Sequence, residues 1–317
     1  MKTCPFFGKC GGCKYDFTSP EYHIKKLSEL HGITPTDSPI WINPGLRRRA
    51  DFCFSPNRFG FFESKTKNII AIDSCPNLVP EINAILPQMQ KLPWCGSGAC
   101  LITLCDNGID IAITSPVPYF TPEFRNAAIK LPAIRITWND KIIQETAKPI
   151  VTFNDKTVEY PSNAFLQPST HGANALRELV IKHANGFNTV ADLFCGLGNF
   201  TFALNADGFD IVGTGVKRDL FTHPLTPGIL GKYDCVVMDP PRAGALAQCE
   251  ILKHSNVKRI IYISCNPNTF RRDAAVLESG KYKITTLIPV DQFTGSTHWE
   301  IFAIFDIKES LLLLKKR

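Results

Sequence analysis

Thr189-Val190-Ala191-Asp192-Leu193-Phe194-Cys195-Gly196-Leu197-Gly198-Asn199 is the stretch that decides how this chain folds. Its first five residues read as a short strand ending in Asp192-Leu193. The next five form a tight turn, and Asn199-Phe200-Thr201-Phe202 opens a helix. Gly196 and Gly198 let a ligand approach the backbone closely. The spacing is not that of a dinucleotide loop, and no Gly-Lys-Ser or Gly-Lys-Thr marks a phosphate loop.

Downstream, two more apolar runs end in residues that carry chemistry. Val236-Val237-Met238 leads into Asp239-Pro240-Pro241-Arg242, and Arg259-Ile260-Ile261-Tyr262-Ile263 leads into Ser264-Cys265-Asn266-Pro267. Buried parallel strands read as such runs, and open α/β sheets bind ligands at strand carboxyl ends. Upstream, Ala173 to Ala184 reads as a helix with Leu176, Leu179, Val180 and His183 on one face. Helix, strand, glycine loop, strand, helix and strand in this order predict a doubly wound α/β domain from about residue 161 to 317.

The chemistry follows from residue type and place. Cys265, on a loop fixed by Pro267, is positioned as a nucleophile. Glu300, in Ser296-Thr297-His298-Trp299-Glu300, is the candidate base. Carbon 5 of uracil is a poor nucleophile toward a sulfonium methyl group. A thiolate adding at C6 turns the ring into an enolate that attacks, and a base must then remove the C5 proton. Asp239 is placed to bind the uracil edge or the cofactor, and Arg242 to balance enolate charge. S-adenosylmethionine suits the glycine loop because it needs polar groups rather than a phosphate cradle. A target in structured RNA would have to leave its stack to reach Cys265. An Asp-Pro-Pro motif also serves methylation of exocyclic amines, where a lone pair needs no thiol; Cys265 separates the two chemistries.

The 317 residues are 44% hydrophobic and 20% charged, with net charge +6, which describes a globular protein and is compatible with an RNA partner. No secretory signal is expected from Met1-Lys2-Thr3-Cys4, and the Leu311 to Leu314 run is too short for a membrane span of about 20 residues. A cytoplasmic monomer is expected, with its 12 cysteines serving as metal ligands, nucleophiles or core residues rather than disulfides. Cys4, Cys10 and Cys13 are closely spaced around Gly11-Gly12, and Cys75 is the candidate fourth ligand. Four thiolates suit an iron–sulfur cluster or tetrahedral zinc.

Residues 1–90 are expected to form a cluster segment with short strands at Arg49 to Phe54 and Gly60 to Phe62. Residues 91–160 are expected to form a β-rich domain with turns at Asp106-Asn107-Gly108, Asn139-Asp140 and Asn154-Asp155.

In combination these motifs resemble the RNA uracil-5-methyltransferase family, specifically its bacterial members that carry an iron–sulfur cluster and act on 23S ribosomal RNA. The likeness runs from Cys4 to about Ile307. It implies a class I SAM-dependent methyltransferase domain and a [4Fe–4S] cluster on Cys4, Cys10, Cys13 and Cys75. It further implies cofactor contacts from Gln167, Phe194, Asn199 and Asp239, with Cys265 as nucleophile and Glu300 as base. Arg47-Arg48-Arg49 resembles the family's basic strand. With no separate RNA-binding barrel expected before Cys4, the resemblance implies that RNA contacts fall on the basic and strand-rich segments before residue 160, making 91–160 an RNA-contacting domain.

One stretch departs from the family. Only 47 residue steps separate Asp192 from Asp239, and a βαβ unit alone takes about 30 or more. The expected loss is one strand and one helix. Ile211-Val212-Gly213 reads either as the strand whose acid the family uses for the cofactor's ribose, here ending in Thr214-Gly215 without an acid, or as the following strand, with Asp219 near the adenine and the ribose strand absent. The alternative to an active enzyme is a family remnant that keeps the cluster and RNA surface but binds the cofactor poorly.

Overall fold

The computed structural model describes residues 4–14, 25, 28–29 and 32–308. Met1 to Thr3 and the Leu311 to Leu314 run therefore lie outside the described residues. The chain divides into two units: Met1–His23, Ile42–His171 and Phe293–Thr297 form one, and Ile24–Trp41, Gly172–Gln292 and His298–Arg317 the other.

The first unit is built on a seven-stranded sheet in the order Ile69–Ala71, Arg58–Phe62, Arg49–Ser55, Gly98–Cys105, Gly108–Thr114, Arg135–Trp138, Lys141–Glu145. Strands on both sides of residue 90 share this sheet, because Arg49–Ser55 pairs antiparallel with Gly98–Cys105. Two of the expected turns close hairpins with residues in left-handed conformation, Asn139 and Asp140 in one and Asn154 in the other. The core is aromatic: Phe54 stacks on Trp94 and Phe59 stacks on the same indole. Arg135 reaches the buried Asp110 at 2.6 Å and also donates to the Tyr160 carbonyl.

The second unit carries an eight-stranded sheet in the order Ile40–Trp41, Tyr282–Asp291, Glu300–Ile307, Arg259–Ser264, Cys235–Met238, Val190–Leu193, Asp207–Asp210, Val216–Lys217. Chain order reverses between Val190–Leu193 and Cys235–Met238, the switch point at which doubly wound sheets bind ligands. The glycine-loop strand is fully buried, as a central parallel strand must be. The helix Thr170–Ala184 buries Leu176, Val180 and Ala184 against one face of the sheet, as its periodicity predicts.

The shortened stretch differs from expectation. The strand is Asp207–Asp210, not Ile211 to Thr214, and it ends in an acid. Both outer strands are present, the last of only two residues, and they run parallel. Parallel neighbours ordinarily need a crossover of a dozen or more residues. Here Ile211 to Gly215 makes the whole connection. The loss relative to expectation is thus a crossover helix rather than a strand.

Candidate active site

Register brings the thiol and the carboxylate together. Arg259–Ser264 and Glu300–Ile307 are antiparallel neighbours with Ser264 opposite Ile301, so the next step puts Cys265 abreast of Glu300. Paired residues in such a ladder have Cα atoms about 4.5–5.5 Å apart. Asp239 ends the parallel strand on the other side of Arg259–Ser264. The Cys265 thiol is pushed up to about 12 by burial first, then by the charges of Glu300 and Asp239, with Arg242 opposing. Burial and then Asp239 push the Glu300 carboxyl well above the usual range. Three groups that would all be anionic share one end of the sheet, which is how perturbed catalytic sites are built.

Two loops are stitched at this end. The Asn266 side chain caps the helix Pro267–Ser279, accepting from Asn268 N at 3.1 Å. Its Nδ2 donates to the Arg242 carbonyl at 2.9 Å, and Thr269 Oγ1 donates to the same oxygen at 3.2 Å. The Cys265 loop and the Asp239–Arg242 loop therefore move as one piece. Beneath them Asp273, fully buried, accepts from Ala245 N and from the Tyr262 hydroxyl, each at 2.6 Å. Sequence reasoning missed Asp273, which lies about two turns into the helix Pro267–Ser279 and belongs to no motif.

Glu300 itself is held by Gln292, whose Nε2 donates to Oε1 at 3.2 Å. The other carboxylate oxygen, Oε2, is buried without a partner among the described residues.

The glycine loop sits two strands away. Phe194 adopts a left-handed conformation, φ 60°, and Gly196 and Gly198 follow at φ 51° and 94°. A Cβ on Gly196 would point into open space, so a ligand can lie against that face. Asn199 Oδ1 accepts from Arg177 at 3.0 Å, while its Nδ2 is a buried donor with no partner among the described residues. These features fit a zwitterionic cofactor such as SAM. Asp210, at the end of the neighbouring strand, supplies the acid that sequence reading did not find. Its Oδ2 accepts from Gly196 N at 2.8 Å and its Oδ1 from Val212 N at 3.2 Å.

The other side of the loop is covered by the chain's own short connection. Thr214 N donates to the Gly196 carbonyl at 3.1 Å, and Gly213 lies so close to that carbonyl that no Cβ fits there. Asp219 lies in a turn whose Phe221 packs on Phe194, ring centres 5.4 Å apart, and its carboxylate caps that turn, accepting from Phe221 N at 3.0 Å and Thr222 Oγ1 at 2.8 Å. Gln167 belongs to the first unit, where it is buried and its carbonyl accepts from Arg48.

In the first unit Cys4, Cys10, Cys13 and Cys75 all line one cavity of about 220 Å³. All four are free thiols. Gly12 N points at Cys10 Sγ from 3.4 Å and Asn77 Nδ2 at Cys13 Sγ from 3.6 Å. Among the described residues no group of three or more His, Cys, Asp or Glu side chains is placed to hold a metal ion. Four thiols around one cavity, with N–H donors aimed at sulfur, fit a cluster that spreads its ligands over several irons. Arg47 and Arg48, the residues expected to face RNA, both reach partners within the protein. Arg47 is half-buried beside Cys75 and Cys13, and Arg48 is buried with its Nε donating to the Gln167 carbonyl. Arg49 is half-buried too, with its guanidinium 5.6 Å from the ring centre of the exposed Phe165.

A thiol and carboxylate at the carboxyl end of this sheet, beside a glycine loop, define a class I methyltransferase fold. A solved structure with the same fold is the tRNA (uracil-54, C5)-methyltransferase of Pyrococcus abyssi in complex with S-adenosyl-L-homocysteine. It superposes with a TM-score of 0.71 at 20% identity, over 90% of this chain and 82% of that one. The profile of the tRNA (Uracil-5-)-methyltransferase family matches residues 225–307. An uncharacterized RNA methyltransferase of Agrobacterium fabrum is 32% identical, over 94% of this chain and 82% of its own length. A 23S rRNA (uracil(1939)-C(5))-methyltransferase, RlmD, of Dechloromonas aromatica is 25% identical over 96% of this chain and 85% of that protein. This chain belongs to the RNA uracil-5-methyltransferase family. The alignment to the Agrobacterium protein runs to 344 positions against 317 residues here, so the relative carries residues that this chain lacks.

Proposed function

We propose that this chain methylates C5 of a uridine in RNA, most directly 23S ribosomal RNA, using SAM and carrying a [4Fe–4S] cluster in its first unit. The observation that carries the reading is the register pairing that sets Cys265 abreast of Glu300, with Asp239 on the adjacent strand. Family membership and the 23S-specific relative support the RNA class.

In this mechanism the Cys265 thiol releases its proton to solvent water and its sulfur forms a bond to C6 of the uracil. The C5=C6 electrons move to C5 and O4 as an enolate, which Arg242 and the uracil-edge contacts of Asp239 stabilise. SAM, when bound at the glycine loop, supplies an electrophilic methyl group to C5. Glu300 then takes the C5 proton; the C–H electrons re-form C5=C6, and the C6–S bond breaks to return the thiolate. Gln167, Phe194, Asn199 and Asp239 would hold the cofactor, with Asp210 in the place first assigned to a missing acid. Asp219, engaged in its own turn, has the weakest claim to cofactor contact. Cys4, Cys10, Cys13 and Cys75 would hold the cluster in a structural or RNA-docking role, in a protein acting as a monomer in the cytoplasm.

The test is methylation of unmodified 23S ribosomal RNA, with the covalent protein–RNA adduct followed on a denaturing gel. Adduct and 5-methyluridine are expected from the native protein, and neither from Cys265→Ala. Retained activity in Cys265→Ala would replace this chemistry with amine methylation.

A second reading is favoured by one observation, the covering of the Gly196 carbonyl by Gly213 and Thr214. On that reading the chain is a family remnant that keeps the cluster and RNA binding and has lost the cofactor. Calorimetric titration of anaerobically purified protein with SAM separates the two: micromolar binding supports the enzyme, and no binding by a cooperatively folded protein supports the remnant.

A further inference from the structure

A carboxylate that acts as a base must present one oxygen to the proton and be prevented from rotating. Glu300 opens its strand and is almost fully buried, so water does not hold it. What holds it is Gln292, itself buried, just beyond the end of the neighbouring strand Tyr282–Asp291. The two strands are paired antiparallel with Val290 opposite Glu300, which fixes where the Gln292 side chain starts. Its Nε2 donates to Oε1 at 3.2 Å and leaves Oε2 buried and without a partner among the described residues. An orphaned carboxylate oxygen is costly in a folded core, and it is the atom a base needs free.

We infer that Gln292 is a positioning residue: it clamps Oε1 of Glu300 so that Oε2 is the oxygen that accepts the C5 proton. This inference rests on the reading of Glu300 as the base. The Gln292 amide never touches substrate. Its effect falls on the last step, transfer of the C5 proton to Oε2 with re-formation of C5=C6 and release of Cys265. Addition of the thiol to C6 precedes that step and does not need the clamp. Loss of the clamp therefore slows elimination more than adduct formation, which is a signature that general misfolding does not give.

The experiment uses the full chain with 23S ribosomal RNA transcribed with 5-tritiated uridine, so that proton loss from C5 is read as released tritium. Gln292→Met keeps the volume and removes the donor; Gln292→Asn keeps the amide and shortens its reach. Thermal unfolding of both variants is compared with the native protein, and only variants that unfold cooperatively are assayed. Expected results for Gln292→Met are tritium release slowed about 10- to 100-fold in kcat, since an intact general base contributes about 10²–10⁴-fold, an unchanged KM for RNA, and adduct accumulating on denaturing gels. Gln292→Asn falls between the two. Native-like tritium release in Gln292→Met overturns the positioning role, and so does a parallel fall in adduct and release. If the native protein forms no adduct and releases no tritium, Glu300 is not a base and the role assigned to Gln292 falls with it. Native turnover with indifferent Gln292 variants removes the positioning role alone.

Discussion

Asp210 Oδ2 accepts a hydrogen bond from Gly196 N at 2.8 Å, tying the last residue of one strand to the glycine loop of its neighbour. A carboxylate has about four lone-pair sites, so Asp210 can keep this bond and still accept from a ribose hydroxyl. Replacing it with alanine removes a charged acceptor worth about 1.5–3 kcal/mol. The expected outcome is roughly ten- to hundredfold weaker SAM binding by calorimetry. Unchanged affinity would show that the ribose lies elsewhere or that Asp210 serves only the loop.

The Cys265 thiol, held up to about 12 by burial and by Glu300 and Asp239, is protonated at neutral pH. Its alkylation by iodoacetamide, followed by peptide mass mapping, should be slow at pH 7.5 and still rising at pH 10. Glu300→Gln removes a negative neighbour, lowers the thiol's pKa and should speed alkylation. A plateau below pH 8 in the native protein would contradict this environment.

Asp192, fully buried, is pushed from 3.8 to about 7, by burial first, against the hydrogen bond from Thr201. The folded protein therefore binds a proton that the unfolded chain releases between pH 4 and 7. Stability from this group is present in full below about pH 4 and lost as pH rises through about 7. The span corresponds to on the order of 4 kcal/mol. Urea unfolding of Asp192→Asn should lack this decline. Parallel pH profiles for variant and native protein would place the titration elsewhere.

Arg135 and Asp110 form a buried pair in the first unit at 2.6 Å. Arg135→Met leaves Asp110 buried without its cation, and removal of one partner of such a pair costs about 3–5 kcal/mol. Urea denaturation checks the value, and a loss under about 1 kcal/mol would mean that the carboxyl is already neutral.

The four cysteines around the 220 Å³ cavity predict a metal centre that depends on each of them. Anaerobically purified protein should show a broad absorption near the blue end and contain iron. Cys13→Ser and Cys75→Ser should each lose it. A colourless protein with stoichiometric zinc would replace the iron–sulfur assignment.

Much of this was legible in the sequence because period and punctuation agree. Alternation around Asn139-Asp140 and Asn154-Asp155 forces hairpins, and apolar runs before Asp239 and Cys265 force buried strands. The pairing of Cys265 with Glu300 was not legible. It depends on the register of two strands separated by more than thirty residues, which no local pattern encodes. The end of the second strand was misread because Ile211-Val212 looks more strand-like than Asp207-Gly208; pairing with Ala191 to Leu193 overrides that local preference. The burial of Arg48 went unseen for a related reason: charge predicts exposure unless a partner awaits, and its partner, the Gln167 carbonyl, lies far along the chain.

The five-residue connection from Ile211 to Gly215 inverts the usual map of mutational tolerance. Ile211 to Thr214 are exposed, and exposed loop residues ordinarily accept most substitutions. Yet a Cβ on Gly213 would strike the Gly196 carbonyl, and one on Gly215 the Gly208 backbone. In a saturation scan this surface segment should behave like a core position, with glycine required at both places, while Val212 just before them varies freely.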